Sequence, residues 1–296
     1  VASVLLLTAC SAGATTSAGG KPTADSTSQA VTTSASPVTS ASPATTTSVT
    51  PQPPARYKPT VPERTTKNDA GYLINTCVPE NLRQYAISLT DSDGTHLSGL
   101  VLGSGPKGVL LAHEQGYYIC SFLDLGQKLA ALGYQVMIPE FRNHGASETV
   151  ADNDNIDRDV TAALAELHRR GAKQVFLGGA SCGGTTVAMA GAKEKDLVGL
   201  LIMSSPARCG PLDGVRPIKR IAAPSLFIVA PDDMEGAVEK QVRELYNASG
   251  AANKRLLIED GKEPGSPHGT DLFRRTVRGP VLTEEVLRFI DGCFPA

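Results

Sequence analysis

The sequence has no tryptophan, and only 5% of its 296 residues are aromatic, which leaves little with which to build the stacking surface of a polysaccharide binder. Neither sign of charge is in excess: 28 Lys and Arg stand against 30 Asp and Glu, a formal net charge of −2. Nucleic acid, which is attracted by a basic face, is therefore not an expected partner. An acidic chain disordered from end to end is excluded by the same balance. No Walker loop and no H-E-x-x-H string occurs, and no C-x-x-C spacing points to a metal, so no cofactor, nucleotide or zinc is implied. No uninterrupted apolar run approaches the roughly 20 residues that a membrane-spanning helix needs.

At the start of the sequence the short run Val4-Leu5-Leu6-Leu7 leads through Thr8-Ala9 to Cys10 and then to small polar residues. This reads as the end of a secretory signal. Leu-Thr-Ala-Cys resembles the bacterial lipobox, whose cysteine is acylated, so Cys10 is the expected lipidation site and residues 1–10 the expected last part of the signal peptide. From Ser11 to Arg56 there is no Leu, Ile, Met or aromatic residue. Such a stretch cannot bury enough apolar surface to offset the entropy of ordering it. Residues 11–65 are therefore expected to form a disordered tether, whose Ser/Thr/Pro bias permits O-glycosylation, and residues 66–296 one folded domain. The implied address is extracytoplasmic, on the cell membrane of a bacterium and attached through the lipid at Cys10, with the domain acting as a monomer.

Six cysteines fit an oxidising compartment. With Cys10 acylated and Cys182 inside a motif described below, four remain for two disulfides, with three possible connectivities. Cys77 with Cys293 and Cys120 with Cys209 is taken as the expectation, against the alternative that all stay reduced.

Apolar runs then alternate with amphipathic stretches. Leu82–Thr90 and Thr95–Gly103 flank an Asp-Ser-Asp-Gly turn and read as a hairpin. Strands are expected at Gly108–Ala112, Tyr134–Pro139, Gln174–Gly178, Leu197–Met203, Ser225–Ala230 and Arg255–Ile258. Helices are expected at Phe122–Leu132, Ile156–Arg170, Thr185–Lys193, Glu235–Ala248 and Glu284–Asp291. This alternation predicts an α/β fold with a mostly parallel sheet of about eight strands covered by helices on both faces. Ligands of such sheets bind at the carboxyl ends of the strands.

One strand, Val175-Phe176-Leu177, runs into Gly179-Ala180-Ser181-Cys182-Gly183 and then a helix, a G-x-S-x-G match in a strand-turn-helix setting. A nucleophile on a sharp turn presents its Oγ above the sheet, and flanking side chains would collide with neighbouring elements. Serine needs a base, and the base a carboxylate. The strand at Leu226–Val229 ends in Asp232-Asp233, and His268 is the one histidine that follows both the serine and the acids. Successive side chains at a strand end turn to opposite sides, so only one of the two acids can reach it. His96 and His168 read as surface residues and His144 as a loop-structuring one. His113 and Glu114 could pair with the Cys182 thiol, but loop hydrogen bonding is the favoured reading.

With these motifs the sequence resembles the α/β-hydrolase superfamily from about Tyr72 to Phe294. His113-Glu114-Gln115-Gly116 looks like the oxyanion loop of the dienelactone-hydrolase branch, and Glu140-Phe141-Arg142-Asn143-His144-Gly145-Ala146-Ser147 like the superfamily's D-x-R-G-x-G-x-S loop. The resemblance implies Ser181 as nucleophile, His268 as base, and oxyanion donors at the N–H groups of Cys182 and Gln115. Counting Ala230 as the glycine of the superfamily's G-x-x-D loop selects Asp233 as the acid. Dienelactone hydrolases carry a cysteine nucleophile; with serine at that position, a serine esterase acting on small esters is the more natural inference. Only residues 206–224 separate two core strands, too few for a large helical cap. A serine peptidase of the prolyl-oligopeptidase type is the alternative enzyme, and a non-catalytic surface binding protein the alternative from another class.

Overall fold

The computed structural model describes residues 52–151, 155–259 and 267–295. Cys10, the signal segment and the tether as far as residue 51 lie outside them. Residues 59–65, expected in the tether, are instead hydrogen-bonded to the domain. Thr60 N–H donates to Ser147 O (2.8 Å) and Val61 N–H to Gly145 O (2.9 Å). Thr60 Oγ1 donates to the same Ser147 carbonyl (3.0 Å) and Arg64 Nη1 to the Tyr118 hydroxyl (3.2 Å); these partners lie far along the chain, and composition does not reveal them.

Eight strands form the main sheet: β1 (Ala86–Thr90), β2 (His96–Leu102), β3 (Lys107–Ala112), β4 (Gln135–Pro139), β5 (Gln174–Ala180), β6 (Leu197–Met203), β7 (Ser225–Val229) and β8 (Lys254–Ile258). Their spatial order is β8-β7-β6-β5-β3-β4-β2-β1. β1 and β2 form the predicted antiparallel hairpin, β2 is antiparallel to β4, and the remaining neighbours are parallel. The first strand begins four residues later than expected, because Leu82 N–H donates to Pro79 O and Glu80–Tyr85 coils into a 3₁₀ turn.

The helices are α1 (Leu123–Ala131), α2 (Ile156–Arg169), α3 (Cys182–Gly191), α4 (Val215–Ile218), α5 (Ala237–Ala248), α6 (Asp271–Arg274) and α7 (Gly279–Cys293). Alternation along the strands divides the core into two layers. Leu110, Leu177, Ile202 and Phe227 pack with Val160 and Leu167 of α2, Val187 of α3 and Val242 of α5. Their neighbours Leu111, Phe176, Leu201 and Ile228 pack with Leu129 of α1 and Val286 and Ile290 of α7 on the other face. Because both faces are buried, the parallel strands read as continuous apolar runs. Between β6 and β7 stand only a short ribbon, Arg208–Cys209 against Leu212–Asp213, and the one-turn α4. No large cap is built from this segment.

The disulfides differ from the expected pairs. Cys77 is bonded to Cys120 and Cys182 to Cys209, while Cys293 is free. Cys293 lies in the α7 layer, where burial pushes its thiol up to about 11. Cys182 is available for pairing even within the G-x-S-x-G turn, because the turn needs only its backbone and leaves its side chain free to bond Cys209. By chain-entropy arithmetic each cross-link contributes about 3–4 kcal/mol.

A buried cation ties the hairpin to the layers behind it. The Arg142 side chain, 1% exposed, donates through Nε to Asp159 Oδ1 of α2 (2.9 Å) and through Nη1 to Asp93 Oδ2 (3.0 Å), and also meets Asp91. Burial drives the Asp159 carboxyl up to about 6, partly opposed by its bonds to Arg142. Removing the cation would leave buried Asp91 and Asp159 uncompensated, while Asp93 keeps its pairing with Arg158 (3.1 Å). Arg142→Met is therefore expected to destabilise the domain by about 3–5 kcal/mol in urea unfolding; a loss under about 1 kcal/mol would show that the acids neutralise themselves.

Candidate active site

Ser181 stands between β5 and α3 with φ +51° and ψ −130°. A residue with a side chain rarely occupies that region, at a cost of about 1–3 kcal/mol. The surroundings hold it there. Ser181 N–H donates to Met203 O at the end of β6 (2.9 Å), and its carbonyl accepts from Gly184 N–H (2.9 Å). The flanking glycines are required by close approach: a Cβ on Gly183 would lie 2.3 Å from Ala112 O and 2.5 Å from His113 O, and one on Gly179 would lie 2.4 Å from Gly183 O. These contacts are with backbone, which cannot swing aside. Ser181 is half-buried.

The two candidate acids separate clearly. Asp232 is exposed, whereas Asp233 is fully buried, with Oδ1 2.8 Å from His268 Nδ1. The loop after Asp233 turns through two residues at positive φ, Met234 and Glu235, and Asp233 O accepts from Gly236 N–H and Val238 N–H at the start of α5. The backbone of Asp233 thus launches a helix while its side chain faces the histidine. With Nδ1 directed at Asp233, Nε2 is the ring nitrogen turned away from the carboxylate. Burial lowers the His268 pKa, but the hydrogen bond and charge of Asp233, with the charges of Glu114 and Asp271, outweigh it and hold the ring above its ordinary value.

The loop after β3 lies between the serine and histidine segments. Glu114, fully buried, accepts from Thr270 N–H and, at 2.6 Å, from Thr270 Oγ1, so the residue two places after His268 is tied to this loop. The next residue, Gln115, has its Oε1 3.5 Å from Cys182 Sγ. Glu114 therefore faces the histidine loop and not the Cys182 sulfur, in keeping with the loop-bonding reading. His113 and His144 also support loops. His113 Nδ1 donates to Glu114 O (2.7 Å) and Nε2 accepts from Phe141 N–H (3.0 Å). His144 Nδ1 donates to Arg142 O (2.8 Å) and Nε2 accepts from Gly116 N–H (2.9 Å). Burial first, then the neighbouring His144, lowers the His113 pKa to about 3, and burial lowers that of His144. Both rings are neutral and fix the geometry of the loops after β3 and β4.

The Cys182 N–H opens α3, and among the described residues no hydrogen-bond acceptor takes it or the Gln115 N–H. Two unsatisfied donors at a helix start and an adjacent loop suit a developing negative charge. The Cys182 side chain is committed to Cys209, so it is not a free thiol. His168, expected at the surface, is half-buried and pairs with Glu194 Oε2 (3.1 Å). The role of Thr270 had no signal in the sequence, and Cys209, expected to form a disulfide, gave no sign that Cys182 is its partner, because each link joins residues distant in the chain.

Residues 105–232 match a family model described as serine aminopeptidase, S33; the match contains Ser181 and ends one residue before Asp233. No curated protein matches the chain. Among solved structures, the esterase Pf2001 of Pyrococcus furiosus is similar over 72% of this chain and 92% of its own, with 18% identity and a TM-score of 0.58. An esterase from Exiguobacterium antarcticum shares 13% identity over 69% of this chain and 98% of its own, TM-score 0.55. The enol-lactonase of Burkholderia xenovorans LB400 shares 16% identity over 67% and 98%, TM-score 0.54. The fold is that of the α/β-hydrolases, and the family match together with it supports a hydrolase.

The charges around His268 generate a prediction that needs no substrate. Followed by NMR, the ring is expected to titrate above the ordinary 6.5, and Glu114→Gln is expected to move the midpoint down by removing one nearby anion. An unchanged or raised midpoint would mean that Glu114 does not act on the ring.

Proposed function

We propose that this protein is a serine hydrolase of carboxylic esters, exported and held at a bacterial membrane by a lipid on Cys10. Ser181 Oγ attacks the ester carbonyl, giving its proton to His268 Nε2. Asp233 keeps the proton of the ring on Nδ1 and stabilises the imidazolium that forms. The N–H groups of Cys182 and Gln115 receive the oxyanion. His268 then protonates the leaving alcohol, and water repeats the sequence on the acyl-enzyme. The observation that carries this reading is the conjunction of a positive-φ serine at the carboxyl end of β5 with a buried Asp233 carboxylate, after β7 of the same sheet, hydrogen-bonded to His268, which follows β8. The description of the matching family as a serine aminopeptidase favours a peptidase as the second reading; a panel of p-nitrophenyl esters and peptide anilides separates the two.

Ser181→Ala is expected to lower ester turnover by roughly 10³ to 10⁶-fold and to abolish fluorophosphonate labelling, with the circular dichroism spectrum unchanged. Full activity in a pure preparation would dismiss Ser181. Asp233→Asn is expected to cost about 10⁴ in kcat through the wrong tautomer of His268, and Asp232→Asn less than about tenfold. The opposite ranking, with both variants folded, would move the role to Asp232.

The anchor has its own test. Cys10→Ser is expected to release an active protein from the membrane fraction of cells; retention of that variant on membranes would remove the lipid-anchor proposal and leave the enzymatic one intact.

A further inference from the structure

The disulfide beside the nucleophile differs from the other in what it touches. Cys182 is the first residue of α3, directly after the strained Ser181, and its N–H is one of the two proposed oxyanion donors. Its sulfur is bonded to Cys209 on the short ribbon after β6. That ribbon is itself held from several sides. Thr185 Oγ1 of α3 donates to Pro206 O (2.7 Å), Ala207 N–H donates to Gln241 Oε1 of α5 (3.1 Å), and Arg208 pairs with Glu244 of α5 (3.1 Å). Since α5 follows directly from the Asp233 loop, the ribbon bridges the serine helix and the helix behind the acid. The two sulfurs also lie 3.5 and 3.9 Å from Gln115 Oε1, so they meet the side chain of the residue proposed to supply the second donor.

We infer that the Cys182–Cys209 disulfide positions the oxyanion hole: Cys209 acts through Cys182, fixing the first turn of α3 and the seat of Gln115 at one spacing. This rests on the proposed esterase reading. A helix opening immediately after a strained residue is where fraying starts, and an N–H displaced by an ångström loses most of its value to a transition state. The cross-link removes that freedom without touching substrate, so Cys209 is a positioning residue. The other disulfide, Cys77–Cys120, joins the segment before β1 to the turn before α1 and serves as a matched control.

The experiment compares Cys209→Ala, the double variant Cys182→Ala/Cys209→Ala and the control Cys77→Ala/Cys120→Ala with the intact protein. The readouts are kcat and KM for p-nitrophenyl acetate, the rate constant of fluorophosphonate labelling at Ser181, and Tm. Both variants lacking the Cys209 link are expected to lose at least about tenfold in kcat and in labelling rate, with KM within about threefold. The control is expected to lose Tm but to keep kcat within about twofold. Should Cys209→Ala not fold, the control variant is treated with a dithiol instead. Two electrons and two protons pass from the dithiol to the Cys182–Cys209 bond, giving two thiols and an oxidised dithiol, and activity is expected to fall and to return on re-oxidation. A folded Cys209→Ala protein with kcat and labelling within twofold of the intact one, a reduction without loss, or an equal loss in the control overturns the inference. Activity surviving in Ser181→Ala, or no labelling of Ser181 in the intact protein, overturns the esterase reading itself, so the two failures are distinct.

Discussion

The first turn of α3 lies so close to the carbonyl groups at the end of β3 that Gly183 has no room for a side chain. The rest of the site follows from that approach. It obliges β5 to turn sharply into α3, and the residue at the corner, Ser181, takes a positive φ that only its surroundings make tenable. The same approach puts the start of α3 against the loop after β3, which is why Gln115 and the Cys182–Cys209 pair meet. A serine in an ordinary turn would have none of these neighbours.

Buried polar groups then set the loops around the corner. Glu114 reaches across to Thr270 and so fixes the segment that carries His268. His113 and His144, both neutral, satisfy backbone groups of the loops after β3 and β4. Behind them Glu140, its carboxyl raised by burial to about 7, accepts from Ile119 N–H (3.3 Å) and Ala146 N–H (2.6 Å) and from the Asn75 amide (2.9 Å). These groups are loop supports whose hydrogen bonds hold the site in place before any ligand arrives, with Glu114 Oε2 the one carboxylate oxygen of these groups left without a partner among the described residues.

Much of this was legible in the sequence because it is written in local signals. Continuous apolar runs between amphipathic stretches located the parallel strands, and the glycines around Ser181 located the corner, since a backbone contact at 2.3 Å permits nothing else. Divergence of neighbouring side chains implied that only one of Asp232 and Asp233 could reach His268, and the resemblance to the G-x-x-D loop pointed to Asp233, which His268 faces. What escaped is what depends on partners far apart in the chain. The disulfide pairing was misread because Cys182 was assigned to the motif, although a motif that uses only a backbone N–H leaves the sulfur free to bond Cys209. Docking of residues 59–65 leaves no local trace, because Thr60, Val61 and Arg64 attach to Ser147, Gly145 and Tyr118, all distant in the chain. The Glu114–Thr270 link spans 156 positions and has no local trace.

The central claim is that Ser181 becomes acylated. Rapid acid quench of the protein with p-nitrophenyl acetate, followed by peptide mapping by mass spectrometry, reads this directly. The account predicts an acetyl group on the peptide containing Ser181, localised to that residue and lost on longer incubation before the quench as the substrate is exhausted. Acetyl found on another residue instead, or turnover of the ester with no acyl-protein at any time, would contradict it.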